Sequence, residues 1–298
     1  MSFHILHLFT HGAVLRRDRG FLVSSPPEDS EAQEARLPLE DIRAVVIASR
    51  GITLTSNALA GILSHEGIIL HCDESYSPVG VTAPLPRVTD IRATLMQSSR
   101  PKRLNASIWN RLLLGKTANQ MAVLASFDLS SAHLERALTT RKVDEGNCAR
   151  RYWQLYFPEI GWSGSKRERR LENPPNRMLN YGYAVLATLC HRSLLIHGLT
   201  PLLGVGHVAR YRSDPLVYDL MEPYRPVVDR ILADFLCGED VTEQAWCRRI
   251  GTELRNFRVR HSRYSLKLMD AIDKSASSLA RCYSQSSADA LWIPELGA

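Results

Sequence analysis

The sequence predicts an α+β protein, with a small β-rich N-terminal domain over residues 1–84 followed by a larger all-helical domain over residues 85–298. Three observations carry this reading. Up to residue 84, apolar residues come in short runs of strand length, bounded by turn residues. Residues 84–87, Pro-Leu-Pro-Arg, then place two prolines close together, which enforces an extended connection. From Asp90 onward, apolar positions recur at the spacing of helices half-buried in a bundle.

Phe3 to Leu8 is an apolar extended run. Ala13 to Ser24 has two apolar arms around Arg17-Asp18-Arg19-Gly20, with Gly20 suited to the positive φ of a hairpin turn. Residues 24–36 are polar and read as a loop. Ala44 to Ala48 and Ile68 to Cys72 have the length of buried strands, and the helix between them should be capped by Ser56 and ended by Gly67. Val79 to Ala83 adds a last strand. His4, His7, His11 and the group His71 to Glu74 receive no function, because strand ends and turns account for them.

In the second region, Ile108 to Leu124 reads as a helix with Ile108, Leu112, Met121 and Leu124 inward, preceded by Arg100, Lys102 and Arg103. A helix starting near Asp144 sets Glu145, Ala149 and Trp153 on one face. Residues 163–170 form a basic loop, in which Lys166 and Arg167 are candidate phosphate contacts or simply solvated charges. Asn176 to His197 is a long amphipathic helix stopped by Gly198. Arg248 to Lys267 carries seven basic residues interleaved with Phe257 and Tyr264. It suits a DNA backbone, with Arg248, Arg249 and Arg258 as contacts, and reads equally as a basic surface helix with core aromatics. Leu268 to Tyr283 is a further helix, and Trp292 pins the tail.

The net charge of +6 is unevenly divided. Residues 1–84 hold 6 arginines and no lysine against 10 acids, giving −4, so the remainder carries +10 and is the region suited to a polyanion. No run approaches the roughly 18 consecutive apolar residues of a membrane span, and residues 1–10 lack the pattern of a secretory signal, so a cytoplasmic location without membrane contact is expected. The six cysteines show no metal-binding spacing and read as reduced thiols.

The chemistry concentrates between Gly198 and Leu236. Asp219 and Glu222, three apart, project from one face of a helical turn, where their charges repel unless a cation sits between them. His207 follows a Gly-x-Gly turn upstream. Carboxylate oxygens with one imidazole suit Mg²⁺ or Mn²⁺. The plainer alternative is a helix start marked by Pro223 and Pro226, where acids favour the positive end of the dipole.

The stretch Asp219 to Asp229, DLMEPYRPVVD, resembles the CRISPR adaptation integrase family, the larger of the two proteins that insert new spacers into a CRISPR array. Glu145 opening EGNCARRYW, Asn180 to Val185 (NYGYAV) and Ile108 to Gln120 (IWNRLLLGKTANQ) agree with it in order, and the likeness is greatest to the branch found in type II systems. The resemblance implies that Glu145, His207 and Glu222 are catalytic and hold Mg²⁺ or Mn²⁺, with Asp219 as a helper beside them. It implies that Tyr218 either positions DNA or belongs to the core; Asp214 has no assigned role. It implies a homodimer built mainly by the β domain, a small ferredoxin-like CRISPR adaptation partner protein, and double-stranded DNA as substrate. The expected reaction joins the 3′-hydroxyl ends of incoming DNA to the CRISPR repeat by transesterification. Two alternatives remain: a metal-dependent endonuclease of branched DNA without integration, and a non-catalytic DNA-binding scaffold.

Overall fold

The computed structural model describes residues 3–27, 30–87, 90–164, 167, 173–207, 214–261 and 264–297. Its N-terminal region is β-rich and its C-terminal region helical, as the patterning requires.

The N-terminal region holds strands β1 (His4–Leu8), β2 (Val14–Asp18), β3 (Phe21–Ser25), β4 (Ala35–Pro38), β5 (Ile42–Ile47), β6 (Thr53–Leu54), β7 (Ile68–Cys72) and β8 (Pro78–Thr82), with helix α1 (Ser56–Ser64) between β6 and β7. They form two four-stranded sheets. In the first, ordered β1-β5-β7-β8, the first three strands run parallel and β8 returns antiparallel. In the second, ordered β4-β3-β2-β6, the β2–β3 hairpin pairs on one side with β4 and on the other, in parallel, with β6. Alternation along β5 and β7 explains how one sheet serves two cores. Val45 and Ile69 face Leu15, Leu22, Ile42 and α1, whereas Ala44, Val46, Ile68 and Leu70 join the core of the helices.

Several local expectations need correction. The positive φ of the β2–β3 hairpin falls on Arg19, at 52°, rather than on Gly20. Thr55, not Ser56, caps α1, its hydroxyl accepting from Ala58 N at 3.2 Å. The stretch read as a polar loop gives its last residues to β4, whose Arg36 pairs with Asp18 at 2.6 Å across the sheet. A charged, exposed edge strand has no apolar alternation to announce it.

The C-terminal region contains α2 (Ile91–Ser98), α3 (Lys102–Ala125), α4 (Ala132–Thr140), α5 (Glu145–Glu159), α6 (Pro174–Ile196), α7 (Pro215–Met221), α8 (Arg225–Leu236), α9 (Glu243–Asn256) and α10 (Leu268–Ser284). Lys102 and Arg103 lie inside the first turn of α3, which begins earlier than its apolar spacing suggested. Asp144 caps α5 through a bond from Asn147 N at 3.0 Å, so Glu145 is its first helical residue. The segment 248–267 is not one helix. It is the end of α9 followed by a hairpin of β9 (Arg258–His261) and β10 (Tyr264–Lys267). Pro223 and Pro226 do mark a helix start, since Glu222–Tyr224 form a single 3₁₀ turn leading into α8, but Asp219 lies before it on α7, which starts at Pro215.

Helix α6 is the central post, with sixteen of its residues buried between the sheet and the other helices. Trp246 of α9 packs against it, and its indole N–H donates to Met178 O at 2.8 Å. Arg192, buried on α6, bonds the carbonyl of Glu66 at 2.7 Å and the carboxylate of Asp273 at 3.1 Å, tying the β-rich region, α6 and α10 together. Cys148, Cys190, Cys247 and Cys282 are buried and all six cysteines are unpaired. Among the described residues no helix is long and apolar enough to cross a membrane.

Candidate functional site

Helices α3, α5, α6 and α7 and the 222–224 turn surround an open cavity of about 500 Å³ whose walls include Lys116, Glu145, His207, Glu222, Arg225 and Asp229. The three residues expected from the sequence to act together, Glu145, His207 and Glu222, therefore share one cavity.

The position of each follows from local structure. Glu145 is set by the Asp144 cap at the mouth of α5, and its side chain keeps 40% of its exposure. Glu222 sits on the tight turn between α7 and α8 and is 3% exposed. That turn is fastened to α3 and to the tail: the Asn119 amide donates to Pro223 O at 2.8 Å and Pro294 O at 3.1 Å and accepts from Leu296 N at 3.0 Å. Tyr224 anchors it from the other side, bonding Ala271 O at 2.8 Å and Ser275 Oγ at 2.6 Å. Gly115 permits this approach, since a Cβ there would stand 2.3 Å from Ile293 Cγ2.

His207 depends on its glycines. A Cβ on Gly206 would lie 2.2 Å from the indole of Trp109, and one on Gly204 would lie 2.4 Å from His207 O and 2.8 Å from Asp219 Oδ2. Close packing of this loop lets three successive backbone N–H groups converge on the fully buried Asp219: Val205 at 2.6 Å, Gly206 at 3.2 Å and His207 at 2.9 Å. The His207 ring adds a fourth bond, Nδ1 to Asp219 Oδ1 at 2.7 Å, and Trp109 flanks it edge-on at 5.4 Å. An ionised carboxylate only accepts, so the bond places a proton on Nδ1, and in the neutral ring Nε2 is the nitrogen left to accept from another partner.

This alters the place of Asp219. The spacing put it beside Glu222 with a cation between them. The structure instead directs Asp219 to the His207 loop, and the cation next to Glu222 is a protein side chain. Lys116 Nζ of α3 lies 2.6 Å from Glu222 Oε2 and 3.1 Å from Glu145 Oε1 and is itself only 12% exposed. The contact to Oε2 is close but off the axis of a hydrogen bond, and Glu222 Oε1 takes the directed bond from Arg225 Nε at 2.9 Å. Burial alone would raise the Glu222 carboxyl; Arg225 and Lys116 overcome it and hold the group at about 2. Burial would likewise depress the Lys116 ammonium, yet Glu222 and Glu145 keep it above its ordinary value.

At the other end of the cavity Asp229 receives the hydroxyls of Tyr152, at 2.8 Å, and Tyr183, while Tyr156 donates to its backbone carbonyl at 2.7 Å. Burial raises this carboxyl to about 6, against those hydroxyl bonds. The Tyr183 ring also faces the Arg225 guanidinium at 4.9 Å. Tyr218 lines the cavity near His207, ring centroids 6.5 Å apart.

The donor set bears on a metal directly. Two carboxylates converge on a single cation, and an imidazole nitrogen on the same cavity is oriented by a carboxylate behind it, the usual support of a metal-bound histidine. The position between the carboxylates is taken by Lys116, and among the described residues no three acidic, histidine or cysteine side chains stand close enough to cage an ion. The donor atoms thus suit a hard divalent cation in chemistry, with the ammonium in its place.

Of the other candidates, Lys166 lies outside the described residues, as does the arginine-rich 208–213 stretch. Arg167 reaches the cavity wall and bonds Asn180 at 2.5 Å and Asn176. Arg249 pairs with Glu253 at 2.7 Å and Arg248 stands over the Phe9 ring at 5.8 Å. Arg258 bonds Ser265 on the hairpin at 2.9 Å and, with Arg230 and Arg260, lines a separate depression.

Residues 6–255 match the family described as CRISPR associated protein Cas1. The chain belongs to the Cas1 family. A CRISPR-associated endonuclease Cas1 from Neisseria meningitidis is 28% identical over 274 residues, covering 87% of each chain. Among solved structures, a casposase bound to its integration product superposes with a TM-score of 0.80 at 20% identity, over 96% of this chain and 92% of that one. The Cas1-containing chain of a Cas6-RT-Cas1–Cas2 complex gives 0.73 at 20% identity, over 98% of this chain and 36% of the longer one. These likenesses extend the Cas1 fold over both regions described above.

Sequence reasoning missed Lys116, Arg225 and Trp109 as parts of this site. Arg225 could have been found, because it follows Glu222 by three residues on a helical turn. Lys116 and Trp109 carry no such signal, since both come from another helix.

Proposed function

We propose that this chain is a metal-dependent DNA endonuclease and integrase of CRISPR adaptation, which joins the 3′-hydroxyl ends of short incoming DNA to the CRISPR repeat by transesterification. The single observation behind the reading is the convergence of Glu145 and Glu222 on one cation position, in a cavity shared with a His207 whose Nδ1 is already bonded. Glu145, Glu222 and Nε2 of His207 would hold Mg²⁺ or Mn²⁺. The ion, when bound, supplies Lewis acidity at the phosphate and stabilises charge growing on its oxygens.

The protein's own groups do the rest. Asp219 holds the imidazole in one tautomer and orientation, and Arg225 holds Glu222 ionised and in place. One P–O bond forms from the 3′-oxygen as the P–O bond of the repeat strand breaks, so no nucleotide hydrolysis is required. Arg167 on the same wall suits a DNA phosphate. Double-stranded DNA is then the substrate, and the chain works as a homodimer with a small ferredoxin-like partner; the fold-level likeness to a chain of a Cas1–Cas2 complex supports a partner protein.

The test is strand transfer of a short duplex into a repeat-containing target, scored for joined and for cut products. Excess chelator, Glu145→Gln and His207→Ala should each lower joining by about two orders of magnitude or more. Undiminished joining in Glu145→Gln or in chelator overturns the reading. Cutting with water but no joining assigns the chain to hydrolysis of branched DNA instead.

A further inference from the structure

The cation between the two acidic residues is unusual in one respect: it belongs to the protein. Lys116 is nearly buried, 2.6 Å from Glu222 and 3.1 Å from Glu145, on a helix that Asn119 bolts to the Glu222 turn. With Arg225 2.9 Å from Glu222 on its far side, the cluster holds two carboxylates and two fixed cations. It is neutral as it stands. Asp219 does not change this balance locally, because its charge is met by three backbone N–H groups and the His207 ring.

A divalent ion entering this neutral cluster would leave two excess positive charges beside a nearly buried ammonium and guanidinium. At the effective dielectric of protein interiors, about 20, unit charges a few ångströms apart interact by several kcal/mol, so such an ion is held weakly unless the balance is restored. Two changes together restore it. Lys116 can turn out of the gap on its flexible stem into the cavity, and a phosphodiester can bring one negative charge.

Resting on the metal-dependent reading above, we propose that Lys116 closes the cation position in the free protein, so that the divalent ion loads jointly with DNA and displaces the ammonium. Two ligands that restore each other's charge balance must raise each other's affinity by the same factor. The free protein then carries little metal and is not armed to cut. Arrival of a phosphodiester completes the site.

The experiment measures Mn²⁺ binding to the full chain by the electron paramagnetic resonance of free Mn²⁺, with and without a short DNA duplex. Glu145→Gln with the same duplex sets the baseline for ions held by the DNA alone. The wild-type chain should bind Mn²⁺ at least about tenfold more tightly with DNA than without it. Lys116→Met, which keeps stem length and removes the charge, should bind at least about tenfold more tightly than wild type without DNA, and DNA should then add less than it adds in wild type, because one of the two excess charges is already gone.

Lys116→Met also leaves the Glu145 and Glu222 charges less compensated, so its melting temperature should fall without metal and recover on Mn²⁺ more than wild type does. If Lys116→Met is folded and binds Mn²⁺ no more tightly than wild type, the proposal fails while the metal site stands. If that variant does not fold, the wild-type pair decides, and Mn²⁺ affinity unchanged by DNA overturns the proposal. Absence of Mn²⁺ binding above baseline in every chain, with or without DNA, removes the metal reading and this inference together.

Discussion

Two carboxylates line the same cavity, Glu222 at one end and Asp229 at the other, and they are held in opposite ways. Both side chains are buried. Glu222 faces an ammonium and a guanidinium and is held at about 2, whereas Asp229 faces tyrosine hydroxyls and is raised by burial to about 6. Cations in direct contact outweigh the loss of hydration; hydroxyl donors, with Arg167 and Arg225 acting on Asp229 without direct contact, moderate it without cancelling it. The lesson is that burial alone does not say what a carboxylate does. Its partners decide whether it remains a charged ligand or becomes a group that titrates near neutrality.

The comparison breaks most readily at Glu222. Glu222→Gln leaves Lys116 and Arg225 facing each other with their shared counter-charge removed, and the expected loss of stability is about 3–5 kcal/mol, as for breaking other buried pairs. Urea unfolding of the variant checks it, and an unchanged midpoint would mean the pair is not held as described. Glu145, more exposed, is the better position for separating chemistry from stability, and its glutamine variant should melt within a few degrees of wild type.

Asp219→Asn comes next. It sets an amide where four donors converge, so a loss of about 1–3 kcal/mol is expected. Strand transfer should fall as far as in His207→Ala, because the ring loses its orienting partner. A nearly active variant would return Asp219 to the helper's role that the resemblance implies.

At the other end, the sign reverses. Asp229 has a folded value of about 6 against an ordinary 3.8, so the protonated form is favoured in the fold. Its contribution to stability is complete below about pH 4 and is lost as pH rises through 6. Glu222, held at about 2, contributes in full above about pH 4.5 and loses its share only as pH falls toward 2. Stability should therefore decline between pH 5 and 7 by about 1–2 kcal/mol through Asp229, and Asp229→Asn should flatten that slope. Denaturant midpoints across pH 4–8 report it, and equal slopes in both chains would refute the assignment.

The smallest effect concerns the distant hairpin. Arg258→Ala should leave the cavity untouched, and reduce the salt dependence of DNA affinity by about 0.9 in slope if Arg258 neutralises one phosphate. Titrations at several salt concentrations measure this. An unchanged slope confines DNA contact to the cavity wall and its surroundings.

By itself the sequence determined the two-part architecture, because strand-length runs and helical periodicity are local properties of the chain. Through chemical type and resemblance it also singled out Glu145, His207 and Glu222, the three side chains that share the cavity, and it marked the Gly-x-Gly turn before His207. Short exposed elements escaped it: β4, α4 and the β9–β10 hairpin carry charges and polar residues where an apolar pattern would have spoken. What only the tertiary structure decided is which charge meets which. Asp219 and Glu222 lie three residues apart and look like one pair, yet the 204–207 loop takes the first and α3 takes the second. Electrostatic energy depends on distance in space, and the packing of Gly115 and Asn119 against the 222–224 turn is what puts Lys116 within 2.6 Å of Glu222.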